Sequence, residues 1–407
     1  MGERMDAQEP TIDQGNDMSL KDVVDGLLSK ATDAGDVPGV VAMVTDAKGT
    51  IYQGAFGKRS LDSDAPMTVD TVGLLASLTK AVTSIAALQL LEQGKVDLES
   101  PASQWLPALG EIQVLEGFDA DGKPHTRAPK RAVTLHHLLT HTSGIGYEFL
   151  NANIPQYQAA TGVPSALSGR LAMLKVPLMF DPGERWEYGT GLDWVGQLVE
   201  AVSGQKLGDY FAQHIFAPLG MTDTAFLMTP AMRERKAKIH ARGPNNELIP
   251  IDLELPQPAE FEMGGAGLYG TMGDYIKIIR MILNKGAGDN GRVLKEETVA
   301  LLSRNHMGEL NVPSVKSVNR QLSNDMPLPP DIPHKWGLAH MINTKTFPTG
   351  RAAGSLMWAG LTNAYYWIDP STGIGGVYMT QILPFADVKS MPLFFQFEGT
   401  VYHCLKS

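Results

Sequence analysis

The run Lys80-Ala-Val-Thr-Ser-Ile-Ala-Ala-Leu-Gln-Leu-Leu91 is apolar on nearly every side, and a helix of that kind belongs in a protein interior. Its first residue is a lysine. Burying an ammonium is costly unless it is paired or put to use, so the run demands a specific environment at its N-terminal end. Three residues ahead stands Ser77, and on a helix positions i and i+3 share a face. Ser77-Leu-Thr-Lys80 therefore brings a hydroxyl to an amine. Desolvation would lower the lysine pKa until the amine can take the serine proton. By itself the pattern arises by chance about once per 400 residues. A second match, Ser203-Gly-Gln-Lys206, falls where one helical pattern stops at Gly204 and the next begins, and reads as an exposed connection.

A chain of 407 residues exceeds one comfortable core, so two lobes are expected. With 43% hydrophobic and 19% charged residues it has the balance of a globular protein able to bury a cleft. A net charge of -10 argues against nucleic acid and against anionic membrane surfaces as partners. The single cysteine, Cys404, excludes an intrachain disulfide framework and fits a reducing compartment. Residues 1–17 are polar and acidic, with neither the basic nor the apolar region of a signal peptide, and read as a disordered tail. No stretch approaches the 18 or so uninterrupted apolar residues of a membrane span. The expected location is the cytoplasm.

Ser19 can cap a helix whose Leu20, Val23, Val24, Leu27 and Leu28 follow helical spacing. Gly39 to Thr45 and Thr50 to Gln53, joined by Asp46-Ala-Lys-Gly49, read as a β-hairpin. From about residue 101 to 334 the pattern is helical pieces joined by Pro/Gly loops. Strand signals return at Trp336 to Asn343, Ser355 to Ala359, Tyr365 to Ile368 and Gly376 to Thr380, before an amphipathic helix from about Val388 to His403. The expected fold is α+β: one antiparallel sheet built from both chain ends and flanked by helices, plus a mostly helical second lobe. Residues 18–100 and 335–407 would form the first lobe and 101–334 an inserted one, with the active cleft between them.

Two further clusters stand out. Phe180-Asp-Pro-Gly-Glu-Arg-Trp-Glu-Tyr188-Gly-Thr190 places a tyrosine just before the helix Leu192 to Val202; read alone, Tyr188 is more often a half-buried core aromatic. Gly354-Ser-Leu-Met-Trp358-Ala-Gly360-Leu361 heads a strand with small residues that let a substrate approach the backbone.

Together, Ser77-x-x-Lys80, Tyr188-x-Thr190 and Trp358-Ala-Gly360 resemble, in order and approximate spacing, the motifs of the serine β-lactamase and penicillin-binding-protein superfamily. The segments Leu138-Leu-Thr-His-Thr-Ser-Gly144, Asp181-Pro-Gly183, Pro218-Leu-Gly-Met221 and Gly264-Gly-Ala-Gly-Leu268 extend the resemblance over roughly residues 20 to 405. It is strongest to the class C β-lactamase-like esterases (family VIII carboxylesterases) and the lovastatin-type acyltransferases. Val114-Leu-Glu-Gly-Phe-Asp119 and Tyr188-Gly-x-x-Leu-Asp193 are similar to the latter. The resemblance implies Ser77 as nucleophile, Lys80 and Tyr188 sharing the base role, and an oxyanion held by the backbone N–H groups of Ser77 and Leu361. Tyr147, Trp358 and Gly360 would contact substrate, with Tyr147 lining the acyl pocket.

Departures from the β-lactamase pattern narrow the expected function. Penicillin-type enzymes carry Lys-Thr-Gly on the closing strand; here Trp358 replaces the cation and offers an indole N–H and an apolar face. Thr190 stands where an asparagine amide would meet a β-lactam side chain. Both changes favour neutral, short-acyl esters. The leading reading is thus a serine carboxylesterase or acyltransferase forming an acyl-serine. The others are a β-lactamase or D-amino-acid peptidase, and a non-catalytic binding protein of the same fold. Retention of Ser77, Lys80 and Tyr188 speaks against the last. No cofactor or metal is expected: Gly265-x-Gly267-x-x-Gly270 lacks a preceding strand, and His137-Leu-Leu-Thr-His141 lacks a third ligand and reads as a brace for the loop holding Tyr147. The polar, proline-rich segment from Asn311 to Pro333 reads equally as a flap over the cleft or as a disordered loop.

Overall fold

The computed structural model describes residues 19–406, so the expected tail at 1–17 lies outside the described residues. Helix α1, Leu20–Asp33, starts at Ser19, whose hydroxyl accepts the Asp22 backbone N–H at 3.2 Å. The hairpin β1 (Gly39–Asp46) and β2 (Thr50–Gly57) follows, then α2 (Thr79–Glu92). Further along come α3 (Gly191–Ser203) and α4 (Met272–Leu283). The other five strands of the main sheet come near the chain's end: β3 (His334–Trp336), β4 (Met341–Asn343), β5 (Leu356–Gly360), β6 (Ala364–Asp369) and β7 (Ile374–Met379). The chain closes with α5 (Ser390–Cys404).

The sheet runs β3-β4-β5-β6-β7-β1-β2, each strand antiparallel to its neighbours. Chain ends meet along β1 and β7, where Val41 pairs with Met379. This is the α+β architecture expected, with an antiparallel sheet built from both termini. Consecutive residues on a strand face opposite ways, and the flanking helices can be assigned from that rule. Tyr365 stacks on Phe394 of α5 at 4.7 Å, while Tyr366 meets Tyr275 of α4 at 5.4 Å. The sheet is thus sandwiched between α5, with α1 packed beside it, and α4.

The stretch Trp336 to Asn343 is two strands rather than one. The Gly337 N–H bonds to the His340 carbonyl at 2.8 Å, turning the chain so that Trp336 pairs with Met341. Strand signals also occur earlier than expected: Val114–Phe118 pairs with Pro124–Arg127, and Ile239–Arg242 with Leu248–Ile251. These strands are four or five residues long and largely exposed on one partner, so they lack the apolar alternation that marks strands in sequence. The segment from Asn311 to Pro333 is an ordered cover. Val315 and Met326 exchange backbone hydrogen bonds, Val318 N–H bonds to Phe149, and Asn324 N–H to Phe385. Among the described residues no helix is long and apolar enough to cross a membrane.

Phe397 on α5 is fully buried and meets Trp367 edge-on at 5.6 Å. Phe397→Ala should cost about 3–5 kcal/mol, read as a clear drop in melting temperature.

Candidate active site

Ser77 sits in the 3-10 turn Ala76–Leu78 that leads into α2. In a 3-10 turn positions i and i+3 eclipse, which brings serine and lysine closer than a regular helix would. Ala76 adopts φ +47°, a left-handed conformation that a residue with a Cβ holds only under constraint. The constraint comes from both sides: Leu75 N–H bonds to the Leu268 carbonyl at 2.9 Å, and Tyr275 Oη to the Leu78 carbonyl at 3.0 Å.

Every residue of α2 from Thr79 to Leu90 is buried, and Lys80 is 1% exposed. Its Nζ lies 3.1 Å from Ser77 Oγ, 2.9 Å from Tyr147 Oη and 2.7 Å from the Gly265 carbonyl. Burial drives the Lys80 pKa down, and the nearby Asp193 carboxylate opposes that only in part. Nζ also stands over the Tyr188 ring, 4.7 Å from its centroid.

The Gly264-Gly-Ala-Gly-Leu268 segment is stitched along the serine helix and not into a nucleotide loop. Thr83 Oγ1 bonds to the Gly264 carbonyl at 2.6 Å, and Leu268 N–H to Thr79 Oγ1 at 3.1 Å. Its glycines permit the approach: a Cβ on Gly264 would stand 2.7 Å from the Leu192 carbonyl, and one on Gly265 would collide with the Asp193 carboxylate.

Tyr188 precedes α3 and is buried; Trp358 of β5 donates its indole N–H to Tyr188 Oη at 2.9 Å. Burial raises the Tyr188 pKa above the ordinary phenol value, and hydrogen bonds with Ser77 and Trp358 oppose this only partly. Trp358 thus holds the tyrosine as well as forming wall. Tyr147 differs from expectation in placement: its hydroxyl is on Lys80, while Phe149 and Leu150 occupy the cavity wall. That cavity opens on Ser77 and is also bounded by Met326, Trp358, Leu361 and Phe385. Gly360 ends β5 against the serine turn, where a Cβ would come 2.5 Å from the Leu75 carbonyl. This close contact brings Leu361 beside Ser77.

The remaining signals take structural places. Ser203 ends α3 and Gly204, at φ +72°, is its left-handed cap. His137 Nδ1 lies 3.1 Å from Thr134 Oγ1 in a capping box. His141 packs 4.8 Å from the Tyr188 ring and 4.9 Å from Trp336. Both histidines therefore brace the loop leading to Tyr147. Trp186 stacks on Tyr188 at 6.2 Å within the same aromatic cluster.

Sequence reasoning missed Asp193 as part of the site, along with the Phe149, Met326 and Phe385 walls. Asp193 carried a usable signal. It is a charge in the first turn of the buried helix Gly-Leu-Asp-Trp-Val-Gly, as Lys80 is on α2.

Comparison with known proteins gives the family. The Beta-lactamase family profile matches residues 24–394, and the chain belongs to that family. It is 33% identical to monacolin J acid methylbutanoyltransferase of Aspergillus terreus, covering 92% of this chain and 93% of that protein. It is also 33% identical to lovastatin esterase of Penicillium rubens, over 89% of this chain and 93% of the relative. The solved structure of simvastatin synthase from Aspergillus terreus superimposes with a TM-score of 0.81 at 32% identity, covering 93% of this chain and 97% of that one. The chain is therefore a β-lactamase-fold serine enzyme of the ester-hydrolysing and acyl-transferring kind.

Gly360→Ala should push β5 off the serine turn. The expected result is a fall in kcat per folded enzyme of about 10²-fold or more towards p-nitrophenyl acetate, the scale of a lost oxyanion donor, together with a lower melting temperature from the overpacked contact.

Proposed function

We propose that the protein cleaves or transfers the acyl group of neutral, short-acyl esters through an acyl-Ser77 intermediate, in the cytoplasm. The catalytic cleft lies between the lobe formed by residues 18–100 and 335–407, on whose sheet α4 also packs, and the remainder of the inserted segment 101–334. The observation that carries this reading is the 3.1 Å contact between Ser77 Oγ and a fully buried Lys80 Nζ. A neutral amine has two N–H groups and one lone pair. The Gly265 carbonyl can only accept, and Tyr147 Oη can take the second N–H, which leaves the lone pair for the Ser77 hydroxyl proton.

Burial moves the two candidate bases in opposite directions. It lowers Lys80, making the neutral amine accessible, and raises Tyr188, keeping the phenol protonated. Groups whose environments separate their pKa values divide the acid and base roles, so Lys80 is the first base and Tyr188 the acid. Ser77 Oγ bonds to the ester carbon as Lys80 takes its proton, and the oxyanion rests on the N–H groups of Ser77 and Leu361. Collapse breaks the bond to the alkoxide, which takes the Tyr188 proton; the Lys80 ammonium then restores the phenol. Water or an acceptor alcohol resolves the acyl-enzyme by the reverse path.

Specificity for neutral esters is supported by the walls. The Trp358 indole N–H is committed to Tyr188, and Phe149, Met326 and Phe385 add apolar surface beside Ser77. A substrate carboxylate would find no cation there. The name of one relative, a methylbutanoyltransferase, fits a short acyl group, and that of another, a lovastatin esterase, fits ester cleavage.

Incubation with p-nitrophenyl esters of rising chain length and a chromogenic cephalosporin tests this. Short esters should turn over far faster than the cephalosporin, and Ser77→Ala should abolish both. Lys80→Ala and Tyr188→Phe should each lower kcat by roughly 10³-fold or more, while Ser203→Ala leaves it unchanged. A fluorophosphonate should label the peptide containing Ser77. A Lys80→Ala enzyme of near-normal turnover would remove the proposed base. The acid limb of kcat/KM should fall well below the pH at which an exposed lysine titrates, with activity rising as pH rises through it.

A further inference from the structure

Asp193 is 1% exposed on the first turn of α3, and no step of the acyl transfer described above uses it. A carboxylate that deep costs free energy unless it is engaged. Its Oδ1 accepts the Gly265 N–H at 3.0 Å, and the carbonyl of the same Gly265 accepts Lys80 Nζ at 2.7 Å. Carboxylate, peptide and amine therefore form one chain through a single residue. No side chain can replace that glycine, because a Cβ there would overlap Asp193 itself. The carboxylate is turned away from solvent and is met by its own backbone N–H as well as that of Gly265, so it joins the first turn of α3 to the Gly265 loop.

Resting on the assignment of Lys80 as the base, we infer that Asp193 is a positioning residue for it. Its carboxylate anchors the Gly264–Gly265 amide and so holds Gly265 with its carbonyl aimed at Nζ, and its charge offsets part of the desolvation of the ammonium formed during turnover. Burial alone favours the neutral amine, but the base must also hold a proton between attack and collapse. A carboxylate one peptide away makes that ammonium tolerable inside an apolar helix bundle. The reciprocal effect is seen at Asp193, which burial raises and Lys80 lowers. The other groups facing Nζ are Ser77 on its own turn, Tyr147 and His141 from the preceding loop region, and Tyr188 ahead of α3. None of them is anionic when Tyr147 and Tyr188 are protonated, as their raised pKa values require.

The test is the pH profile of acylation in Asp193→Asn and Asp193→Ala, using p-nitrophenyl acetate with burst amplitude to count folded active sites. Asparagine keeps the acceptor for Gly265 N–H and loses the charge. The acid limb of kcat/KM should move to lower pH by ~0.5 unit or more, because the opposing charge is gone and burial acts alone. Its kcat on the alkaline plateau should stay within about tenfold of the parent, since one neutral hydrogen bond replaces a charged one. Alanine removes both charge and acceptor, and should lower kcat per active site at every pH. An Asp193→Asn profile superimposed on the parent would overturn the role of the charge, and an Asp193→Ala plateau equal to the parent would overturn the positioning. Either result would leave the Lys80 reading intact, which falls only if Lys80→Ala retains turnover.

Discussion

The desolvation of one ammonium group organises this molecule. An amine at the head of a helix buried along its whole length has no route to water, so its surroundings must supply every partner it needs. They do so with a hydroxyl, a phenol and a backbone carbonyl, each from a different part of the chain. Such a network is informative because each member is hard to replace. Removing one leaves a buried donor or acceptor unpaired at a cost of about 1–3 kcal/mol. The strain at Ala76, the phenol of Tyr275 on the Leu78 carbonyl and the tie from Leu75 to Leu268 can all be read as fixtures that hold the serine against that amine.

Backbone, more than side chains, brings the distant segments together. Gly264 and Gly265 let a loop lie against α2 and α3 so closely that a peptide carbonyl substitutes for a counter-ion. Gly360 does the same where the sheet meets the serine turn. A peptide dipole in a dry site is oriented before the reaction begins and need not reorganise as charge develops. It also carries no net charge. A buried lysine solvated by carbonyls and phenols keeps the neutral form within reach, whereas a lysine paired directly with a carboxylate would be held protonated. Gly265, bonded through its N–H to one and through its carbonyl to the other, keeps Asp193 at one remove.

Much of this could be read from residue order, for identifiable reasons. Helix α2 announced itself because a wholly apolar helix has no other place than a core, and its lysine then marked the site. The sheet followed from short apolar and aromatic runs bounded by turn residues at the two ends of the chain. Two kinds of feature escaped. The turn at Gly337 is set by one hydrogen bond to His340, with no proline or Asn-Gly pair to mark it. Likewise, Tyr147 sits on Lys80 because of how the loop after His141 folds against Tyr188, a packing relation with no sequence period. Asp193 lay between, since its signal was present but local. Recognising its role required knowing that Gly265, more than 70 positions away, would be its partner.

Trp358 shows how one substitution reshapes the chemistry without disturbing the scaffold. A lysine at the head of the closing strand would add a positive charge beside Tyr188 and pull its pKa down, towards a phenolate able to act as a base. An indole N–H makes the same kind of hydrogen bond to Oη but adds no charge, so burial prevails and the phenol stays protonated. The exchange thus acts on both the substrate and the mechanism. On the proposed mechanism it withdraws the anchor for an anionic substrate and leaves the base role with the lysine of the buried helix. Neutral-ester preference and a lysine base are, on this argument, two consequences of one uncharged ring, and the aromatic packing of Trp186, Trp336 and Tyr188 around it is what makes room for that ring.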